Sequence, residues 1–384
     1  MPRIVIAGAG VLGRLLAWRL AHAGHEVKVF DPAPGPAAPP TGRGPAEIAA
    51  GFTAAGMLSP LAELDNAGPE LAALGWRSLV LWHDVAHQLK PEGNGYVRRN
   101  GSLMVAHGSD LGAAQRVLDR LQAALAGAPE WPRPRALSRA ELQALEPALQ
   151  PDLKAWLLPE EGQLLPRELL QALAEQAPGV QWGWGRRVAQ VQPGRIVLDD
   201  GAGVEADLAI DVRGLGARAE VGGPASAQGG AGAARAHDAA GADRLRGVRG
   251  ELVWLHAPGV VLQRPVRLLH PRHRVYIVPR PGDLVVIGAS EIESEDRSAV
   301  SLRSAVELMA AAHSVLPELA EARIVHLDAN LRPAWNDHLP RIERAPGLLR
   351  ITGLFRHGWL LAPALVEDGL AACRDLEPAE VAHG

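Results

Sequence analysis

Apolar positions along the chain switch period twice, from a strand–helix–strand opening to a long β-rich stretch and back. An unbroken apolar strand, Ile4-Val5-Ile6, runs into a turn of small residues, after which leucines recur at 12, 15, 16 and 20, a helical stripe. A second strand, Glu26-Val-Lys-Val-Phe30, ends on Asp31. Residues 32–45 are rich in Pro, Gly and Ala and read as a loop. Helical periodicity then covers 70–89 and 110–125, with a strand at 101–106 between them. Ser138-Arg-Ala-Glu141 has the capping-box spacing and predicts a helix start, and 166–177 reads as a helix with proline in its first turn. Strands are expected at 188–191, 195–198 and 207–212. Residues 219–246, almost entirely Ala, Gly, Arg and Asp, read as a flexible loop. From Gly250 the pattern is strongly β, at 251–256, 266–269, 274–278 and 284–288, with Pro281-Gly-Asp283 as a hairpin turn. A helix at 300–315, strands at 323–331 and 348–352, and a last helix over 358–373 complete the chain.

This order predicts an α/β (α+β) protein in which the final strand and helix return to the opening strand–helix–strand unit. The expected division is a discontinuous first domain, 1–95, 160–218 and 335–384, and a second domain, 96–159 and 247–334, on a mostly antiparallel sheet. The loop 219–246 would join them.

The first turn carries the chemistry. Gly8-x-Gly10-x-x-Gly13 lies directly between an apolar strand and a helix. Gly8 permits the tight turn, Gly10 lets a pyrophosphate approach the backbone, and Gly13 lets helix and strand pack closely, leaving the helix N-terminus aimed at phosphate. Asp31 follows Gly13 by 18 residues, near the spacing expected of a ribose-binding acid.

Bulk properties narrow the picture. A net charge of −4 gives no electrostatic reason to expect nucleic acid or an anionic membrane as partner. No apolar run approaches a membrane span. The N-terminal apolar segment is a strand, and Arg14, Arg19 and His22 follow it, so a signal peptide is not expected. Cys373 is the single cysteine, which excludes an internal disulfide and fits a cytoplasmic protein. His270 and His273 are closely spaced but have no further ligand pattern, and no metal is expected.

Four segments in order resemble the D-amino acid oxidase family of flavoproteins, and within it the glycine oxidases of thiamine (thiazole) biosynthesis. They are the N-terminal fingerprint; Thr53-Ala-Ala-Gly56-Met57-Leu58; Arg274-Val-Tyr276-Ile-Val-Pro-Arg280 with Val286-Ile-Gly-Ala289; and Asn330-Leu-Arg332-Pro333 with Gly353-Leu-Phe-Arg356-His-Gly358-Trp-Leu-Leu-Ala-Pro363. The loops 32–50 and 219–246 are longer than the family's.

The resemblance implies non-covalent FAD, held by a Rossmann-like FAD-binding domain, with nothing local to Cys373 suggesting a flavin tether. Gly8, Ala9, Gly10, Val11, Leu12 and Gly13 would hold the pyrophosphate, Asp31 the ribose, and Val188 would lie against the adenine. Thr53, Ala54, Ala55, Gly56 and Met57 would run beside the isoalloxazine. Gly214, Arg332, Gly353, Phe355, Arg356, His357, Gly358, Trp359 and Leu360 would complete the cofactor site, the last segment placing a helix N-terminus where negative charge accumulates on reduction.

The implied reaction is oxidative deamination of glycine or a similar small zwitterionic amine by hydride transfer to flavin. Dioxygen would reoxidise it, giving hydrogen peroxide, glyoxylate and ammonia, in a homo-oligomer. Arg332 is the candidate carboxylate clamp, because a planar guanidinium grips a carboxylate through two parallel hydrogen bonds. Tyr276 would hold the second oxygen, and Arg356 would contact flavin or substrate. Glu291, Glu293 and Glu295 read as a solvated acidic turn, the alternative being that Glu291 meets the substrate ammonium. Other readings are a D-amino acid or sarcosine oxidase or dehydrogenase, and, from another class, a non-catalytic flavin-binding redox sensor.

Overall fold

The computed structural model describes residues 2–37, 48–90, 95–221, 244–271 and 274–374, with side chains to 371. Two sheets organise them. The first has six strands in the order Arg341–Ala345, Leu348–Thr352, Leu208–Asp211, Arg3–Ala7, Glu26–Asp31 and Gln181–Trp184. All neighbours are parallel except the first pair. The near-continuous apolar run of Arg3–Ala7 follows from this position, since a central parallel strand is covered on both faces. Leu15 and Leu16 of the helix Val11–His22 and Leu361 and Val366 of the helix Gly358–Arg374 share one core with Ile4 and Ile6. The last strand and helix therefore do return to the opening unit.

The second sheet has eight strands, in the order Arg323–Ala334, Arg246–His256, Leu284–Gly288, Arg274–Arg280, Val266–Leu269, Ser102–Ala106, Lys154–Leu158 and Arg135–Leu137. Its only parallel pair is Val266–Leu269 with Ser102–Ala106. Leu308, Ala312 and Val315 of the helix Leu302–Val315 pack on Val253, Ile277 and Ile287. A small sheet of Met57–Leu58, Gly162–Leu164 and Val97–Arg98 lies where the chain passes between the two halves.

Local expectations with a local cause hold. The Ser138 hydroxyl accepts from Glu141 N (3.2 Å) while the Glu141 carboxylate accepts from Ser138 N (2.8 Å), a complete capping box. The hairpin turn places Gly282 and Asp283 at φ 73° and 56°, which glycine and aspartate tolerate best. Several short strands were not expected. Gln181–Trp184 is interrupted by Gly183, whose absent side chain makes room for the Phe30 ring, 2.5 Å from where a Cβ would lie. Arg341–Ala345 is a polar strand at the sheet edge with no apolar alternation to announce it.

Residues 222–243, most of the expected flexible loop, lie outside the described residues, as do His273 and the Cys373 side chain. No helix among the described residues is long and apolar enough to cross a membrane.

Candidate active site

The fingerprint glycines differ in what each one spares. Gly8 has φ +103°, and a Cβ there would sit 2.8 Å from Val212 O. A Cβ on Gly13 would fall 1.8 Å from Gly8 O, so the helix reaches the strand only because that atom is missing. Gly10 is different. Its nearest obstacle is Ala49 Cβ at 3.6 Å, ordinary contact, and it faces a cavity. The chain itself does not need a glycine there; a close-lying ligand would. The helix Val11–His22 starts with no side-chain cap, leaving its first N–H groups for an anion. Asp31 accepts from Ala9 N (2.6 Å) and Ala33 N (2.8 Å), tying the glycine turn to the end of the second strand. The Ala9 N–H is thus committed to Asp31.

Two cavities meet. The first, about 530 Å³, is lined by Gly8, Gly10, Val11, Leu12, Asp31, Val188 and Gly214 at one end and by Gly353, Phe355 and Gly358 at the other. The second, about 960 Å³, is lined by Ala55, Gly56, Met57, Tyr276, His357 and Leu360. Thr53, Ala54, Arg332, Arg356 and Trp359 border both, so the two form one continuous cleft between the sheets. Of the site residues expected from sequence, only Ala9 and Gly13 border neither cavity, and both stand behind the turn.

Arg332 and Tyr276 approach from different strands of the eight-stranded sheet. Arg332 Nη1 donates to Ser290 O at 3.0 Å, and the residue forms no ion pair among the described residues. Burial pulls its pKa below the ordinary arginine value, with the nearby Tyr276 hydroxyl and Glu291 carboxylate working against that shift. The Tyr276 hydroxyl has no hydrogen-bond partner among the described residues, and burial pushes its pKa up. A cation without a carboxylate and a neutral hydroxyl without a partner therefore border the same space.

Arg356 is placed differently. It donates to Glu63 Oε2 (2.8 Å) and Glu291 Oε2 (3.2 Å), so both neighbouring acids claim it. Glu63 also meets Arg267 Nη2 at 3.2 Å and His357 Nε2 at 3.0 Å. Burial alone would raise the pKa of Glu63, but the charges of Arg356, His357 and Arg267 outweigh it and hold the carboxyl well below the usual range. Nothing in the local sequence singles out Glu63 or Arg267; only the fold joins them to the site.

The acidic run is solvent-exposed, as its sequence suggests, and each of its three acids also pairs with an arginine. Glu291 pairs with Arg356, Glu293 with Arg246 through bonds of 2.9 Å and 2.9 Å, and Glu295 with Arg218 at 3.0 Å and 2.7 Å. Ile292 exchanges both backbone bonds with Arg249. This segment is a strap over the cleft, with Glu291 on the larger cavity and Glu295 on the smaller.

The profile of the family described as "FAD dependent oxidoreductase" (DAO) matches residues 3–367. The chain belongs to this family. It joins a dinucleotide fingerprint to a second sheet across one cleft, and the open Gly10 cradle and uncapped helix start suit the pyrophosphate of FAD. It is 36% identical to a putative thiamine biosynthesis oxidoreductase, ThiO, of Rhizobium etli, over 95% of this chain and 94% of that protein. The glycine oxidase of Geobacillus kaustophilus has a similar structure, with a TM-score of 0.77 at 25% identity over 99% of this chain and 96% of that one. Iminodiacetate oxidase from Chelativorans sp. BNC1 matches with a TM-score of 0.75, also at 25% identity, over 99% and 97%.

Proposed function

We propose that this FAD-dependent oxidoreductase converts glycine, dioxygen and water to glyoxylate, ammonia and hydrogen peroxide, in support of thiazole formation for thiamine. The observation that carries the reading is the pairing of an Arg332 guanidinium that has no carboxylate with a Tyr276 hydroxyl that has no partner, across the cavity from Thr53–Met57. Arg332 grips the substrate carboxylate through two parallel hydrogen bonds, each contributing about 1.5–3 kcal/mol, and the Tyr276 hydroxyl donates to the second oxygen. Arg356, claimed by Glu63 and Glu291, shapes the wall rather than binding the carboxylate. The chemistry contributed by bound FAD is acceptance of two electrons from the substrate. Gly8, Gly10 and the start of the helix Val11–His22 hold its pyrophosphate, Asp31 its ribose, and Val188 borders its adenine. Gly214 and the segment Gly353–Leu360 enclose the remainder. The domains are taken as 1–95, 160–218 and 335–384 for the cofactor and 96–159 and 247–334 for the substrate, and the protein works as a cytoplasmic homo-oligomer.

The larger cavity, about 960 Å³, leaves room for a substituent on the substrate nitrogen or Cα, so sarcosine and D-alanine form the second reading. The test is the visible absorbance of the yellow protein without air. Glycine is expected to bleach it, and admitted air to restore it with release of peroxide. Bleaching by sarcosine or D-alanine but not glycine would transfer the assignment to that substrate. No bleaching by any of the three at full flavin occupancy would overturn it in favour of a non-catalytic flavoprotein.

A further inference from the structure

Arg332 and Tyr276 stand on strands with two others between them, in the order Arg323–Ala334, Arg246–His256, Leu284–Gly288, Arg274–Arg280. At ordinary strand spacing their backbones are about 14 Å apart, a gap that only two long side chains lying along the sheet can close. Each intervening strand has a glycine on that face. Gly288 pairs directly with Tyr276 on one side and Leu252 on the other, and Gly250 is two residues from Leu252, so all four point the same way. A Cβ on Gly250 would lie 2.2 Å from Nη2, 2.3 Å from Cζ and 2.7 Å from Nη1 of Arg332. A Cβ on Gly288 would lie 2.7 Å from both Cε2 and the hydroxyl oxygen of Tyr276, and 2.3 Å from Leu252 Cδ2. Neither glycine has positive φ, so a left-handed backbone is not what calls for glycine at either.

We infer that Gly250 is a positioning residue for the carboxylate clamp. The side chain it lacks is the seat in which the Arg332 guanidinium lies flat, and Gly288 does the same for the Tyr276 ring. The two glycines open a furrow across the middle of the sheet, and the furrow aims both polar tips at one point. The inference rests on the reading of Arg332 as the carboxylate-binding group. Ordinary carbon–nitrogen contact needs about 3.5 Å, so a methyl at position 250 drives the guanidinium off by roughly 1 Å. It also strains the bond from Nη1 to Ser290 O. A misplacement of that size costs on the order of 100-fold in catalytic efficiency.

Gly250→Ala is the test, alone and with Arg332→Ala, reading flavin occupancy, melting temperature, the KM and kcat for glycine, and acetate affinity from the perturbed visible spectrum. Acetate probes the carboxylate site without turnover. Gly250→Ala is expected to retain flavin and to weaken both acetate affinity and glycine KM by about 10- to 100-fold. In the Arg332→Ala background the same substitution is expected to change neither by more than about twofold, because the group it displaces is gone. Normal acetate affinity in Gly250→Ala, with affinity lost in Arg332→Ala, refutes the inference and leaves the Arg332 assignment intact. Normal affinity in Arg332→Ala refutes that assignment and the inference with it. Should Gly250→Ala fail to fold, the double variant decides: recovery of the fold supports a clash with the guanidinium, and failure shows that the sheet itself needs the glycine.

Discussion

Glu63→Gln changes one atom of a buried carboxylate that two arginines and a histidine face. Arg356 Nη2 is 2.8 Å away, His357 Nε2 3.0 Å and Arg267 Nη2 3.2 Å, and the residue is 8% exposed. Removing one partner of a buried ion pair costs about 3–5 kcal/mol, because the charge left behind is neither solvated nor matched. Glutamine keeps the shape and one acceptor oxygen, which favours the lower end, about 3 kcal/mol. A chain of this length has an unfolding entropy near 0.8 kcal/mol/K, so the melting temperature should fall by about 4 °C. The pH dependence has a definite sign. The carboxyl is held below its unfolded pKa of about 4.3, so its contribution is complete above that value and fades as pH falls toward the depressed folded pKa. Wild type should therefore keep its advantage in full at pH 7 and still largely at pH 5, and lose it only in stronger acid. Differential scanning calorimetry of both proteins over that range measures this. A variant melting within a degree of wild type at pH 7 would show that the arginines find other partners and that Glu63 does not organise the wall.

Four further outcomes follow. Arg332→Lys keeps the charge and loses the two-pronged grip, so kcat/KM for glycine should drop by about 10- to 150-fold with flavin retained; near-normal turnover would remove Arg332 from the site. Gly10→Ala should fold and melt normally yet lose FAD affinity by fluorescence titration, since its Cβ meets only Ala49 within the chain. Gly13→Ala, with a Cβ 1.8 Å from Gly8 O, should lose stability and cofactor together. The catalytic rate should climb by about tenfold per pH unit while the substrate ammonium dominates, because only the neutral amine is oxidised; a flat profile in steady-state kinetics would contradict that requirement.

Features with short-range causes were legible in the sequence. The approach of Gly13 to Gly8, the Ser138–Glu141 capping box and the Gly282–Asp283 turn each answer to neighbours within a few residues, so pattern and conformation coincide. Arg332 and Tyr276 were legible because they sit in recognisable segments. What surrounds them was not. Glu63 meets Arg356 across 293 positions and Arg267 across 204, distances that only sheet order closes. The acids at 291, 293 and 295 are exposed, as they read, but their partners come from positions 356, 246 and 218, which only the fold brings near. The role of Gly250 and Gly288 has no local signal, because strand order alone lays the two long side chains over them.

Glu291, Glu293 and Glu295 fasten one short segment to three separate parts of the chain, at Arg356, Arg246 and Arg218. Both backbone bonds between Ile292 and Arg249 pin its centre, and Ser294 N folds back onto Ile292 O, so the segment is bent and held at four points. A change of length here would disturb in one event both of the cavities that Glu291 and Glu295 border, giving this short stretch more leverage over the cleft than any point substitution within it.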